Sequence, residues 1–226
     1  MISYTSLFLD LDDTLLDFKA AEANAIRAVL KNNDLPSDDQ AVTTYSRINK
    51  GFWESFERGE IPKSAIFVGR FRRLLEVLGC KGDPDALSAE YCKRLSEGYF
   101  TVEGAFQILD YLRGKGYKLY ATTNGLSVTQ YRRINGSGLA PYFDRVFVSE
   151  DSGYQKPEKE YFDYVISQIP ETDRAKMLVI GDSQSSDILG GINAGIDTCW
   201  FNPNGLKAKY SSKYEISSLS ELAKIL

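Results

Sequence analysis

The hydrophobic positions along the 226-residue chain change their spacing near residue 100. From 19 to 99 the apolar residues recur at helical spacing, for example across 20–31 and 41–56, and no segment reads as a buried strand. From Val102 onward, short β-rich apolar runs alternate with helical segments. We therefore predict an all-helical block that follows a single N-terminal strand at 7–9.

The alternating part of the chain predicts a parallel β-sheet. Besides the N-terminal run, the predicted strands are 117–122, 145–148, 177–180 and 196–201. Strands that alternate with helices form parallel sheets covered on both faces, and ligands bind beyond the carboxyl ends of such strands. We therefore predict an α/β fold with a doubly wound parallel sheet. Residues 1–16 and 100–226 would form this core, and residues 17–99 an inserted helical domain.

Acidic residues crowd the end of the first predicted strand, in the segment LFLDLDDTLLDF at 7–18. Like charges gathered where a buried strand ends are unfavourable without a cation, which indicates a functional site. Asp10 and Asp12 are two residues apart, so both side chains point the same way if the strand stays extended. A calcium-binding EF-hand is excluded, because Leu15 and Ala21 stand where that loop needs glycine and glutamate.

The composition restricts the chemistry further. The chain has no histidine, which excludes Ser-His-Asp and Cys-His catalysis and histidine metal sites. Its three cysteines have unrelated spacings, which predict neither disulfides nor zinc. The net charge of −4 lacks the basic bias that a nucleic-acid polymer or an anionic membrane would require. No apolar run approaches the roughly 20 residues of a membrane span, and no basic leader is visible, so we expect a cytoplasmic protein.

Further polar motifs stand at the ends of the later predicted strands. They are Thr-Asn-Gly at 123–125, Lys-Pro at 156–157 and Gly-Asp-Ser at 181–183, which Asp187 follows. Together with Asp-x-Asp-x-Thr at 10–14, this ordered set resembles the haloacid dehalogenase superfamily of phosphohydrolases. The resemblance covers essentially the whole chain. It implies a Rossmann-like core with a helical cap, and Mg²⁺-dependent hydrolysis of phosphate esters.

The resemblance also implies a role for each motif. Asp10 would be the nucleophile that forms an acyl phosphate, and Asp12 the general acid and base. Lys156 would neutralise the phosphoryl group and the nucleophile. Thr123, with the hydroxyl and amide groups of the turn at Asn124 and Gly125, would hold phosphoryl oxygens.

A Mg²⁺ site follows from the same resemblance. Its ligands would be the carboxylates of Asp10 and Asp182 and the backbone carbonyl of Asp12, with Asp187 close by or joined through a water. Oxygen-only donors agree with a hard cation. Asp187 is equally compatible with a structural role at the N-terminus of a helix. Gly181 would let the backbone turn tightly toward the ion.

The helical block resembles the cap of this superfamily, and its segment INKGFWESFERGEI at 48–61 resembles the branch of house-cleaning pyrimidine nucleotidases. Asn49, Trp53 and Arg70 are the candidates for contacts with a base or phosphate. Trp53 is also typical of a helical core, and Arg70 of a solvated surface. We predict a small phosphate ester as substrate, a nucleoside 5′-monophosphate being the best candidate, and a monomer or weak homodimer as the enzyme.

Several alternatives stay open on the sequence alone. A sugar-phosphate phosphatase or a phosphomutase would use the same core. A phosphonate hydrolase would form a Schiff base on a buried cap lysine, for which Lys50 and Lys63 are candidates. A haloacid dehalogenase needs no metal and would not be expected to keep Asp12 and Asp182 together. An inactive phosphate-binding module would usually show a broken motif, whereas all four motifs are intact here.

Overall fold

The computed structural model describes residues 4–226, which fall into two compact units. One unit contains Thr101–Leu226 together with the N-terminal part of the chain through Asp17, and the other is Phe18–Phe100. The second unit is therefore an insertion in the sequence of the first.

Helices form the inserted unit: α1 (Phe18–Asn32), α2 (Asp39–Glu57), α3 (Lys63–Leu78) and α4 (Pro84–Leu95). Their apolar faces meet in one buried core. The carboxylate of Asp38 caps α2 by accepting the N–H of Ala41 at 2.8 Å, and Asp83 caps α4 ahead of Pro84. Helix α3 ends at Gly79, whose φ of 63° is costly for residues with a side chain. The helical pattern predicted for this block agrees with these elements.

A parallel sheet forms the centre of the other unit. The strands found within residues 4–226 are β1 (Ser6–Leu9), β2 (Lys118–Thr123), β3 (Arg145–Val148), β4 (Met177–Gly181), β5 (Asp197–Phe201) and β6 (Tyr214–Ile216). Their order is β3-β2-β1-β4-β5-β6, and every neighbouring pair is parallel. This order confirms the predicted doubly wound sheet. The strand order reverses between β1 and β4, since β2 and β3 follow on one side of β1 and β4, β5 and β6 on the other. The short strand β6 was not predicted.

Helices cover both faces of this sheet. They are α5 (Ala105–Gly114), α6 (Ser127–Gly136), α7 (Ser149–Ser152), α8 (Lys159–Ser167), α9 (Leu189–Ala194) and α10 (Leu222–Ile225), with a π-helical turn at Gln184–Ile188 before α9. Leu7 and Leu9 of β1 pack in the same core as α5, α6 and α10, whereas Phe8 packs with α8 and α9. Within residues 4–226, none of the helices has the length and apolar character needed to cross a bilayer.

The register of the sheet determines which loops meet. Leu9 of β1 lies beside Ala121 of β2 and Ile180 of β4. The carboxyl ends of these three adjacent strands therefore lie at one edge, and the residues that follow them share one region. Three of the four sequence motifs begin there.

Candidate active site

The first motif stands directly beyond β1 and is tied to the end of β4. The backbone N–H of Asp10 donates to the carbonyl of Ile180 at 2.9 Å, which extends the pairing of the two strands. The Thr14 hydroxyl oxygen accepts the backbone N–H of Asp182 at 3.1 Å. These two contacts bring the carboxylates of motifs 172 residues apart, Asp10 and Asp182, into one cluster.

Asp10, Asp182 and Asp187 each contribute one carboxylate oxygen to a group in which all three atoms lie within 4.8 Å of one another. The backbone N–H of Ser183 donates to Asp187 Oδ2 at 3.1 Å and orients that side chain. Burial raises the pKa of Asp10 to about 8, against the lowering effect of Lys156. Burial, with the charges of Asp10 and Asp187, also raises the pKa of Asp182 well above its ordinary value. Nearby positive charge therefore favours the ionised forms of Asp10 and Asp182.

Gly181 provides the space for this cluster. A Cβ atom at this position would overlap the carboxylate of Asp187. The residue is part of β4 and is not among the glycines with positive φ. The predicted role, a tight turn toward the ion, is therefore wrong, and the glycine instead allows the Asp187 side chain to approach the strand.

Lys156 joins two of the carboxylates. Its Nζ donates to Asp10 Oδ1 at 2.7 Å, to Asp187 Oδ1 at 2.6 Å and to the carbonyl of Thr122 at 2.9 Å. The side chain is 1% exposed, and these bonds use all three ammonium protons. Burial alone would lower the pKa of Lys156, but the charges of Asp10 and Asp187 outweigh it and raise the pKa. Lys156 is thus a permanent cation within the cluster.

Asn124 holds the backbone of Lys156. Its Oδ1 accepts the Lys156 N–H at 2.9 Å, and its Nδ2 donates to the Lys156 carbonyl at 2.7 Å. Both polar ends of the amide side chain are therefore bonded to the loop that carries the lysine. Contact between Asn124 and substrate stays a prediction, and the side chain already has this second role.

Thr123 ends β2 and has its oxygen occupied by two donors. Oγ1 accepts the N–H of Gly125 at 3.1 Å and Nε2 of Gln130 at 2.8 Å. A Cβ atom on Gly125 would lie 2.6 Å from Gln130 Cγ, so glycine is required for the close approach. Because both acceptor sites of the hydroxyl are used, its proton points away from Gly125 and Gln130, toward a third group.

Asp12 is held from α6 by two residues that the sequence did not identify. Arg133 Nη1 donates to Asp12 Oδ1, and Gln130 Nε2 donates to Oδ2 at 3.0 Å. The Arg133 side chain is fully buried, whereas that of Asp12 is 30% exposed. The signal in the sequence was weak, because an Arg or Gln on a helix is ordinarily a solvated residue.

The candidates in the helical unit have different surroundings. Asn49 and Arg70 are 2% and 3% exposed, and Arg70 Nη1 donates to Asn49 Oδ1 at 2.8 Å. Asn49 Nδ2 donates in turn to Glu22 Oε1 at 2.7 Å. Trp53 is half-buried and packs edge-on against Phe56. Arg70 is therefore not on a solvated surface, and Glu22 is a buried partner that the sequence did not reveal.

Comparison with known proteins places these motifs in context. A family model described as haloacid dehalogenase-like hydrolase matches residues 4–195. The HAD-hydrolase YfnB of Bacillus subtilis is 43% identical over 100% of this chain and 97% of its own length. A crystal structure of YfnB bound to magnesium has a TM-score of 0.93, covering 99% of this chain and 98% of that one.

Two further relatives are named pyrimidine 5′-nucleotidases. PynA of Streptococcus pneumoniae is 39% identical, over 97% of this chain and 93% of PynA. YjjG of Escherichia coli is 33% identical, over 97% of this chain and 96% of YjjG. Each match therefore spans both structural units of the present chain.

Proposed function

The chain belongs to the haloacid dehalogenase-like hydrolase family, and on that basis we propose that it is a Mg²⁺-dependent phosphatase of nucleoside 5′-monophosphates, pyrimidine nucleotides in particular. One observation carries the proposal. Buried Lys156 bonds to Asp10 and Asp187 in a cluster of three close carboxylates at the carboxyl ends of β1 and β4. The net negative charge of this cluster would repel a phosphate dianion unless a divalent cation offset it.

The donor set fits such a cation. The ligands would be the carboxylates of Asp10, Asp182 and Asp187 and the backbone carbonyl of Asp12, which are all oxygen donors. The raised pKa values of Asp10 and Asp182 show how unfavourable the ionised cluster is without one. Bound Mg²⁺ would supply positive charge for the phosphoryl oxygens.

Asp10 is the proposed nucleophile. One of its carboxylate oxygens attacks phosphorus, the bond to the ester oxygen breaks, and an aspartyl phosphate results. Lys156, which is already bonded to Asp10, offsets part of the negative charge that the phosphate dianion brings. The Thr123 hydroxyl, which ends β2 beside this site, is the proposed donor to a phosphoryl oxygen.

Asp12 is the proposed general acid and base. It gives a proton to the departing ester oxygen and later takes one from the water that hydrolyses the aspartyl phosphate. Its side chain is 30% exposed, compared with 9% for Asp10. This greater access suits a carboxylate that must meet both a leaving alcohol and a water.

Of the two candidate lysines for a phosphonate hydrolase, Lys50 does not have the surroundings that an imine-forming lysine needs. Lys50 is 75% exposed and lies 3.8 Å from Glu54, one turn along α2. Lys63 is half-buried. A lysine that forms an imine is ordinarily desolvated or beside another cation, and Lys50 is neither.

The test is phosphate release from a panel of pyrimidine and purine 5′-monophosphates and sugar phosphates, with Mg²⁺ or with EDTA. We expect phosphate release to require Mg²⁺. The kcat/KM for pyrimidine nucleotides should be at least about ten times higher than that for purine nucleotides or sugar phosphates. Asp10→Asn should lower kcat at least about 1,000-fold, since it removes the nucleophile. Asp85→Asn, an exposed residue of α4, is the matched control.

The possible outcomes separate the two parts of the proposal. Turnover near the wild-type level in Asp10→Asn would refute the aspartyl phosphate mechanism. Mg²⁺-dependent release that favours sugar phosphates would instead refute the nucleotide assignment and leave the mechanism intact.

A further inference from the structure

Helix α6 buries Ile134, but it also buries two large polar side chains while it exposes two apolar ones. Gln130 and Arg133 are 1% and 0% exposed, whereas Val128 and Tyr131 are 63% and 38% exposed. The hydrophobic effect favours the opposite arrangement of these four side chains, with the apolar ones buried and the polar ones exposed. Burying a guanidinium also costs several kcal/mol unless its partners compensate. The contacts of the buried polar side chains should therefore explain this orientation of α6.

Those contacts are with two motif residues, Asp12 and Thr123. Arg133 Nη1 donates to Asp12 Oδ1 and also to Gln130 Oε1 at 3.2 Å. Gln130 Nε2 donates to Asp12 Oδ2 at 3.0 Å and to Thr123 Oγ1 at 2.8 Å. Both oxygens of the Asp12 carboxylate are thus fixed from one helix, and one amide group joins Asp12 to Thr123.

We propose that Arg133 and Gln130 are positioning residues, which hold the Asp12 carboxylate in the orientation that proton transfer requires. The inference rests on the proposed function, in which Asp12 is the general acid and base. Proton transfer needs a heavy-atom distance of about 2.6–3.2 Å, so a freely rotating carboxylate would seldom be in place. Each carboxylate oxygen has two acceptor sites, and the bonds from α6 leave one site on each oxygen for the transferred proton.

The role predicts a dependence on the leaving group. A nucleoside alkoxide is a poor leaving group and needs the proton of Asp12, whereas p-nitrophenolate is a stable anion and needs little help. The ratio kcat/KM covers the steps through phosphoryl transfer to Asp10. Displacing Asp12 should therefore lower kcat/KM for an alkyl phosphate far more than for p-nitrophenyl phosphate.

The experiment compares Arg133→Met, Arg133→Lys and Arg132→Met with uridine 5′-monophosphate and p-nitrophenyl phosphate. Met keeps the aliphatic stem without the charge, Lys keeps the charge, and Arg132 is the exposed neighbour on the same helix. We expect Arg133→Met to lose about 100-fold or more in kcat/KM with the nucleotide and less than about 5-fold with the aryl ester. Arg133→Lys should recover part of the loss, and Arg132→Met should match the wild type.

A double-mutant cycle tests whether Arg133 acts through Asp12. In an Asp12→Asn background, Arg133→Met should lower kcat/KM for the nucleotide by no more than about 3-fold, because the group it positions is already disabled. Gln130→Met should also lower kcat/KM more for the nucleotide than for the aryl ester, with part of the loss common to both esters because Gln130 bonds Thr123 as well as Asp12. Thermal unfolding of each variant checks that it is folded.

Equal losses with the two esters in folded Arg133→Met, or no loss with the nucleotide, would overturn the positioning role. If the wild type prefers another alkyl phosphate, that ester replaces the nucleotide, so a wrong substrate assignment does not affect the test. A wild type that hydrolyses no phosphate ester at all would overturn the proposed function, and this inference with it.

Discussion

Gly181 shows how a single missing side chain determines the geometry of the carboxylate cluster. A methyl group there would displace Asp187, whose Oδ1 accepts Lys156 Nζ at 2.6 Å. We expect Gly181→Ala to raise the Mg²⁺ concentration needed for half-maximal activity by about 10- to 100-fold and to lower kcat by a similar factor. Losses of this size are usual for residues that orient metal ligands. Titration of phosphate release with Mg²⁺ measures both quantities.

The matched control is Gly114→Ala in α5, where an added Cβ has no atom within 4 Å. Activity should be unchanged there, and the free energy of unfolding should rise by up to about 1 kcal/mol from helix propensity. Wild-type Mg²⁺ activation in Gly181→Ala would show that Asp187 is needed for structure alone. That outcome would favour the helix-terminus role over metal ligation.

Residues of this site differ in how far the sequence could identify them. Asp10, Thr123 and Asp182 belong to short motifs at predicted strand ends, and the strand pattern itself brings those motifs to one edge. Lys156 also belongs to a motif, but it lies beyond β3 and α7, where Asn124 holds its backbone. The space requirement at Gly181 could not be predicted in the same way. It depends on where the side chain of Asp187 points, which is a property of the π-helical turn at Gln184–Ile188.

At the scale of whole elements, the β-strands were more predictable than the orientation of the helices. Buried parallel strands form continuous apolar runs, which gave five of the six strands found in residues 4–226. The missed strand β6 has three residues, Tyr214–Ile216, too few to form a recognisable pattern. Helix α6 was predicted as a helix, but its orientation was not, because it buries Gln130 and Arg133 against its own hydrophobic pattern.

A prediction at the same scale concerns α3 of the helical unit. The Arg70 guanidinium lies 4.6 Å from the centre of the Tyr91 ring and donates to Asn49, which donates to buried Glu22. Arg70→Met would leave Asn49 Oδ1 without that donor in a buried environment. We expect a loss of about 2–3 kcal/mol in the free energy of unfolding. Thermal or denaturant unfolding of the metal-free protein measures it.

Trp53→Ala provides the contrast within the same unit. Its ring is half-buried against Phe56, so the loss of stability should be smaller than that of Arg70→Met. If Trp53, one of the candidates from the sequence, contacts the nucleotide base, the substitution should raise KM for uridine 5′-monophosphate about 10-fold through lost stacking. An unchanged KM would contradict that contact, and a raised KM in folded Arg70→Met would show that Arg70 also affects substrate binding.

At the scale of the whole molecule, the carboxylate cluster connects folding stability with pH and metal. Burial raises the pKa of Asp10 to about 8, whereas an aspartate in an unfolded chain titrates near 4. The folded protein therefore keeps a proton that the unfolded chain has released, and this contribution to stability is fully present only below about pH 4. It is lost as the pH rises toward 8, and the raised pKa of Asp182 acts in the same direction.

Mg²⁺ should reverse this loss, because it binds the ionised carboxylates and competes with their protons. We expect the rise in Tm caused by a fixed Mg²⁺ concentration to be larger at pH 8 than at pH 6. Tenfold tighter binding at pH 8 corresponds to about 1.4 kcal/mol, or about 3–5 °C for a chain of this size. Thermal unfolding with and without Mg²⁺ at both pH values measures the difference, and Asp10→Asn should abolish most of it. An equal rise at pH 6 and pH 8 would mean that Asp10 is already ionised at pH 6, in which case the buried cation Lys156 is sufficient to keep it ionised.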